Sequence, residues 1–162
     1  MSKRRKRRIA SCGNAIVKLR RLEDLAGIGG VLAHGCFDLL HYGHIRHLEQ
    51  AKAAWRQAPL IVTITADAFI RKGPGRPLFP AEIRAECVAA LACVDLVAIV
   101  YESTGLSAIE TIRPSVYVKG VEYLGQGGVA ELERLMVEQY GGLMLYTPRW
   151  CSSTSIVERL YA

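Results

Sequence analysis

The chain has few of the features that mark secreted, membrane or metal-binding proteins. Its five cysteines are odd in number and scattered, with no Cys-x-x-Cys pair, which favours reduced thiols in the cytoplasm. The richest apolar window, Val88 to Val100, is interrupted by Asp95, so no membrane-spanning helix is expected. There is no internal repeat. The basic start of the chain also lacks the continuous apolar segment of a secretory signal.

Basic charge is concentrated near the start of the chain. Residues 3–8 are six consecutive cations, and the remaining basic and acidic residues number fifteen each. The net charge of +6 therefore carries no information about a binding site. Residues 1–14 are expected to form a solvated, disordered tail, with weak attraction to nucleic acid or an anionic membrane surface as the alternative. Nucleic acid is not the expected partner.

The rest of the chain, residues 15–162, is expected to form one domain, because 162 residues is near the usual domain size and leaves no room for a second catalytic module. Short apolar runs alternate with helical patterns, and these runs are nearly apolar on both faces, as in buried parallel strands. The expected strands are 31–34, 60–65, 96–100, 116–119 and 143–147. The expected helices are 44–57, 80–92, 106–112, 129–140 and 152–161, with a short helix near 18–26.

This alternation predicts an α/β fold, a single Rossmann-like, doubly wound parallel sheet of five strands with helices on both faces. Ligands of such sheets bind beyond the carboxyl ends of the strands. The segments that follow strands there are 34–44, 65–80, 119–128 and 148–154. Sequence order therefore predicts that these four segments converge on one site.

The first of these segments is the most informative part of the chain. A buried strand ends at Gly35, and His41 and His44 follow in the first turn of a helix, with Gly43 between them. Backbone N–H groups and the helix dipole favour an anion there, and histidines three residues apart share one face. The segment predicts a phosphate site. Zinc ligation and a purely structural helix start are the alternatives, although the sequence places no third metal ligand.

Cations follow two other strands. Lys72 lies in a loop rich in glycine, proline and basic residues, which is either a mobile arm onto the phosphates or an ordinary surface loop. Arg84 is expected to hold a phosphate or to pair with Glu82 or Glu86. Lys119 ends an apolar strand before Gly120, so its ammonium is expected to face the same pocket.

The last segment combines a cation with hydroxyl groups. Ser152, Ser153 and Thr154 precede an amphipathic helix and are candidate ligand donors or helix caps, with Arg149 just ahead of them. The histidine spacing suits the phosphates of a nucleoside triphosphate with pyrophosphate leaving, and Mg²⁺ is expected to arrive with this nucleotide, since it needs few protein ligands. Asp38, in the histidine turn, is expected to orient the loop, to hold a magnesium-bound water or to hydrogen-bond the molecule that accepts the nucleotide.

Three blocks of sequence resemble the cytidylyltransferase-like nucleotidyltransferases. His-Tyr-Gly-His at 41–44 resembles their His-x-Gly-His motif, and Cys-Ser-Ser-Thr-Ser-Ile at 151–156 is similar to their closing Ser-Thr-Thr segment. Lys-Gly-Pro-Gly-Arg-Pro at 72–77, together with Arg84 and residues 118–120, resembles the adenylyltransferase half of bacterial ADP-heptose synthases more than glycerol-3-phosphate cytidylyltransferases.

The resemblance implies attack by a sugar phosphate, such as heptose 1-phosphate, on the α-phosphorus of a nucleoside triphosphate, with ATP favoured and pyrophosphate released. It also implies a homodimer. The implied catalytic residues are His41, His44, Lys72 and Arg149. The implied nucleotide-binding residues are Gly35, Cys36, Phe37, Gly43, Lys119, Gly120, Ser152, Ser153 and Thr154. The implied acceptor-binding residues are Asp38, Arg84, Lys119 and Glu122.

Two alternatives to this function stay open. The chain could be a cytidylyltransferase acting on glycerol 3-phosphate or another polyol phosphate. It could also be a non-catalytic nucleotide-binding module whose basic tail engages nucleic acid. The family pattern Gly-Gly-Asp-Tyr is replaced by Gly120-Val121-Glu122-Tyr123. Val121 and Glu122 therefore change the expected contacts to the base or the sugar, on which the preference for ATP or CTP depends.

Overall fold

A six-stranded parallel sheet forms the centre of the protein in the computed structural model, which describes residues 18–150. The strands are β1 (Leu19–Arg20), β2 (Val31–Gly35), β3 (Leu60–Thr65), β4 (Leu96–Val100), β5 (Val116–Gly120) and β6 (Leu143–Thr147). The helices are α1 (Tyr42–Ala54), α2 (Ala81–Ala89), α3 (Leu106–Ile112) and α4 (Val129–Gln139). The order of the strands across the sheet is β1-β4-β3-β2-β5-β6, and neighbouring strands are all parallel.

The five predicted strands are confirmed, and the sheet contains one more. The short helix predicted near 18–26 is wrong: Leu19 and Arg20 form β1 instead, paired with Val97 and Ala98 of β4, and a single 3-10 turn covers Leu22–Leu25. A short helix is marginal by itself, whereas the edge of β4 offers unpaired backbone groups. The predicted tail at 1–14 and the predicted helix at 152–161 lie outside the described residues.

Both faces of the central strands are covered, as their apolar residues predicted, whereas the edge strand β6 leaves Leu143 and Leu145 exposed. Successive side chains of a strand point to opposite faces, so Val31 and Ala33 of β2 pack into one buried cluster with α1 and α2. Leu32, between them, packs into the other cluster with α3 and α4. Within residues 18–150, no helix has the length and apolar character needed to cross a bilayer.

Strand order determines where a ligand site forms. From β2, the chain adds β3 and β4 on one side of the sheet and later adds β5 and β6 on the other. The loops that leave β2 and β5 therefore diverge, and a crevice opens between them at the carboxyl ends of the strands. The histidine turn after β2 lies at this crevice.

Candidate functional site

A cavity of about 250 Å³ opens at this crevice, and all four histidines of the chain line it. Among the described residues, the predicted site residues that line it are Gly35, Cys36, Phe37, His41, Gly43, His44, Lys72, Lys119, Gly120, Glu122 and Arg149. The structure therefore brings together the segments that follow β2, β3, β5 and β6. Ser152, Ser153 and Thr154 lie outside the described residues.

Ring packing holds the two motif histidines at the start of α1. His41 occupies the N-cap position, and its ring stacks on that of His44 with 3.8 Å between centroids and 23° between planes. Phe37, held at a positive φ of 47°, contacts His44 on another side at 5.1 Å. The Nδ1 atom of His44 is buried, and the backbone of Leu39 hydrogen-bonds to the ring. The paired rings lie at the N-terminus of α1, where backbone N–H groups favour an anion.

The histidines are electrically neutral at neutral pH. Burial lowers the pKa of His44 to about 3, helped by the charges of His41 and Lys72. Burial also lowers the pKa of His34 and of His47 to about 4, and it lowers the pKa of His41. Neutral imidazoles can donate N–H groups to phosphate oxygens without repelling one another. Lys72 and Arg149 supply fixed positive charge at the cavity.

Asp38 holds the loop that carries Lys72. Its buried carboxylate accepts hydrogen bonds from Arg76 Nε and from the backbone N–H groups of Leu78, at 2.6 Å, and Phe79, at 3.2 Å. Asp38 does not line the cavity. These contacts join the histidine turn, which carries Asp38, to the loop that carries Lys72.

The side chain of Arg84 binds other parts of the protein and not the cavity. Its guanidinium donates to the carbonyl oxygens of Cys36, Thr65 and Phe79 and pairs with Asp67 at 2.6 Å. The expected pairing of Arg84 with the nearby Glu82 or Glu86 is therefore wrong, because Asp67 is its acidic partner. Arg84 does not line the cavity. Its guanidinium has five N–H donors, and buried carbonyl groups near the ends of β2 and β3 need such donors.

Lys119 lines the cavity, but its charge is compensated. The ammonium forms a buried ion pair with Glu133 of α4 and lies 4.5 Å from the centre of the Tyr123 ring. Glu133 also accepts the backbone N–H of Gly105, at 2.8 Å. The sequence gives no signal for Glu133, because one carboxylate among several charged residues of an amphipathic helix resembles a solvated position.

Two histidines at the cavity were missed by the sequence reasoning. His34 lies at the end of β2, with its ring nitrogens 3.0 Å from Thr63 Oγ1 and 3.3 Å from Thr65 Oγ1. His47 lies one turn after His44 and contacts Thr147 Oγ1 at 2.7 Å through Nδ1. His47 follows His44 by the same three residues that separate His44 from His41, which places His47 beside His44 on the helix, and this signal could have identified it.

The acidic side chains near the cavity are the possible ligands of a metal ion. Within residues 18–150, no group of three His, Cys, Asp or Glu side chains is arranged to hold a metal ion. The carboxylates of Asp38 and Glu133 are occupied by protein donors. Glu122 also lines the cavity. The expectation that Mg²⁺ arrives with the nucleotide stays a prediction.

Known proteins resemble this chain over most of its length. The cytidylyltransferase-like family model matches residues 32–159. Bifunctional protein HldE of Geobacter sulfurreducens is 40% identical over 162 aligned residues, which cover 91% of this chain and 32% of that protein. Bifunctional protein HldE of Acidiphilium cryptum is 45% identical over 114 residues, covering 69% of this chain and 22% of that protein. The chain thus spans less than a third of the length of these relatives.

Solved structures show the same fold. The lipopolysaccharide core biosynthesis protein from Thermoplasma volcanium matches with a TM-score of 0.58 at 24% identity, over 75% of this chain and 97% of that chain. Pantothenate synthetase from Thermus thermophilus matches with a TM-score of 0.54 at 14% identity, over 83% of this chain and 63% of that chain. With the family match and the histidine cavity, the chain belongs to the cytidylyltransferase-like family of nucleotidyltransferases.

Proposed function

We propose that this chain transfers a nucleoside monophosphate, preferably from ATP, to a sugar phosphate such as heptose 1-phosphate and releases pyrophosphate. The observation that carries the proposal is the stacked pair of neutral histidines at the start of α1, facing a cavity that Lys72 and Arg149 also line. This arrangement suits a triphosphate, because donors and cations converge where phosphate oxygens would lie.

The reaction needs positioning and charge stabilisation more than acid–base chemistry. A phosphate oxygen of the acceptor attacks the α-phosphorus and forms a new P–O bond. The bond from the α-phosphorus to the bridging oxygen breaks, and its electron pair leaves on pyrophosphate. The acceptor oxygen is already anionic, so no general base and no covalent intermediate are required. His41, His44, Lys72 and Arg149 would stabilise the charge that builds on the leaving pyrophosphate.

The identity of the acceptor rests on similarity. The 72–77 block resembles the adenylyltransferase half of ADP-heptose synthases, and the proteins named HldE are similar to most of this chain. Because Glu133 compensates Lys119, we assign most of the unpaired positive charge for phosphate binding to Lys72 and Arg149. Residues Gly120 and Glu122 remain at the cavity for contacts to the base or the sugar.

Mg²⁺ is part of the proposal as a companion of the triphosphate. It would be held mainly by phosphate oxygens, with Glu122 as the lining carboxylate that could hold one of its waters. When bound, it would neutralise charge on the phosphates. A homodimer and a cytoplasmic location remain predictions, and the free thiols of Cys36, Cys87 and Cys93 support a reducing compartment.

The test is pyrophosphate release by the purified protein with Mg²⁺. Each of ATP, CTP, GTP and UTP is combined with heptose 1-phosphate, other sugar 1-phosphates and glycerol 3-phosphate. Release that requires ATP and a sugar 1-phosphate supports the proposal, whereas release that requires CTP and glycerol 3-phosphate supports the cytidylyltransferase alternative. Nucleotide binding with no release for any pair favours a binding module, for which loss of RNA or DNA binding on removal of residues 1–8 is the further check.

The variant His44→Ala tests the assigned chemistry. Loss of one transition-state donor is expected to lower kcat by about 100-fold or more, with the thermal unfolding midpoint nearly unchanged. Arg56→Ala, at an exposed position after α1, is the matched control and should keep normal turnover. Near-normal turnover in His44→Ala would contradict the assignment.

A further inference from the structure

We propose that His47 is a positioning residue for Arg149. Its hydrogen bond to Thr147 orients the point at which the chain leaves β6, and this restricts where the Arg149 guanidinium can reach at the cavity. The inference rests on the proposed function, because it concerns how the cavity receives the triphosphate.

The contact joins two distant parts of the chain. His47 lies on α1 one turn beyond His44, and its Nδ1 atom is 2.7 Å from Oγ1 of Thr147. Thr147 is buried and is the last residue of β6. The next residues, Pro148 and Arg149, line the same cavity as His47. A single hydrogen bond therefore links the phosphate-binding helix to the point where the chain turns toward Arg149.

The contacts of the Thr147 hydroxyl bear on which nitrogen of His47 carries the proton. Oγ1 of Thr147 lies 2.7 Å from Nδ1 of His47 and 3.4 Å from the carbonyl oxygen of Lys119. Both contacts are hydrogen bonds in the tautomer with the proton on Nδ1, in which Nε2 is an acceptor. Burial lowers the pKa of His47 to about 4, partly opposed by the charge of Glu122, so this neutral form holds at neutral pH.

The position of Arg149 depends on its backbone. The side chain is exposed, and within residues 18–150 no hydrogen bond or ion pair fixes its guanidinium. A long side chain of this kind has many rotamers to lose on binding an anion. A well-directed backbone restricts where the guanidinium can reach, which lowers that cost.

Two amide substitutions separate the roles of the ring nitrogens of His47. In His47→Asn the amide nitrogen takes the place of Nδ1, whereas in His47→Gln it takes the place of Nε2. We therefore expect His47→Asn to bind inorganic tripolyphosphate nearly as well as the unmodified chain and His47→Gln to bind it about tenfold more weakly, a size found for coupled neighbouring residues. Isothermal titration calorimetry measures both affinities, and thermal unfolding checks that each variant folds.

Thr147 provides the matched pair from the other side of the contact. Thr147→Val keeps the shape and removes the hydroxyl, so it should reproduce the weakening in His47→Gln. Thr147→Ser keeps the hydroxyl and should bind normally. In an Arg149→Ala background, His47→Gln should have no further effect, because the residue that it positions is gone. A role in packing alone would not produce this non-additivity.

Several outcomes would overturn the inference. These are equal weakening in His47→Asn and His47→Gln, an additive effect of His47→Gln in the Arg149→Ala background, or no binding of tripolyphosphate by the unmodified chain. Because tripolyphosphate binding requires no reaction, the expected pattern without turnover of any nucleoside triphosphate would refute the proposed function and leave the inference standing.

Discussion

Replacement of Lys119 by methionine should destabilise the protein strongly, because it leaves Glu133 buried without its counter-charge. Glu133 is 1% exposed and Lys119 is 9% exposed. The ion pair joins β5 to α4, and Glu133 also accepts the N–H of Gly105 at the start of α3. One substitution therefore leaves a buried carboxylate whose remaining donors are the backbone N–H of Gly105 and the hydroxyl of Tyr117.

The magnitude follows from the behaviour of buried pairs. Removal of one partner typically costs 3–5 kcal/mol, whereas replacement of both partners by apolar residues is often neutral. Because Glu133 keeps the Gly105 N–H and the Tyr117 hydroxyl as donors, we expect Lys119→Met to lower the free energy of unfolding by about 3 kcal/mol, the low end of that range. For a domain of this size, that loss lowers Tm by about 6–12 °C. The double variant Lys119→Met/Glu133→Leu should recover most of it.

The assay is urea unfolding followed by far-UV circular dichroism at pH 7. The matched control is Arg134→Met on the same helix, since Arg134 pairs with Glu131 and Glu138 at the surface. Exposed pairs are worth about 1 kcal/mol or less, so the control should stay close to the unmodified protein. A loss below about 1 kcal/mol in Lys119→Met, or a double variant no more stable than Lys119→Met, would refute the reasoning.

Three further predictions concern the supports of the cavity. Asp38→Asn removes the charge that pairs with Arg76, which should loosen the Lys72 loop and raise KM for the triphosphate about tenfold. Steady-state pyrophosphate release measures this KM, and an unchanged value would contradict the role of Asp38 in holding the loop. Arg84→Lys leaves buried carbonyl groups without donors and should lower the free energy of unfolding by about 2–3 kcal/mol in urea titration, whereas a neutral effect would count against it. His34 has a pKa of about 4 when folded and an ordinary value of 6.5, so the unfolded state binds a proton first and the free energy of unfolding should fall as pH is lowered from 6.5 toward 4. The urea midpoint should fall less steeply with pH in His34→Gln than in the unmodified chain, and an equal pH dependence in the two would contradict the assignment.

Much of the fold was predictable because its determinants are local. The apolar runs at 60–65, 96–100 and 143–147 form strands with the predicted bounds. Cover on both faces explains the first two, whereas the third pairs at the edge of the sheet with two of its leucines exposed. The meeting of loops at one edge of the sheet follows from parallel strand order. The bounds of the helices shift by a few residues, as when α1 begins at Tyr42 rather than His44.

The phosphate-binding turn was also readable from sequence. His41 and His44 lie within one turn of each other, and helix geometry alone places both on the same face. Gly35 and Gly43 lie beside them, where the backbone passes close to the cavity. These relations involve residues close in sequence, so the spacing is sufficient to predict them.

The sequence by itself determined the sheet, the position of the crevice and the histidine face, and the tertiary structure decided what each charged side chain does there. Asp38 binds a loop about 40 residues away, Lys119 is neutralised by Glu133 from a later helix, and His47 meets Thr147 across 100 residues. Periodicity reports only which face of an element a residue occupies. The partner of a buried charge is chosen by desolvation, because a charge removed from water must find its opposite wherever the fold has brought one.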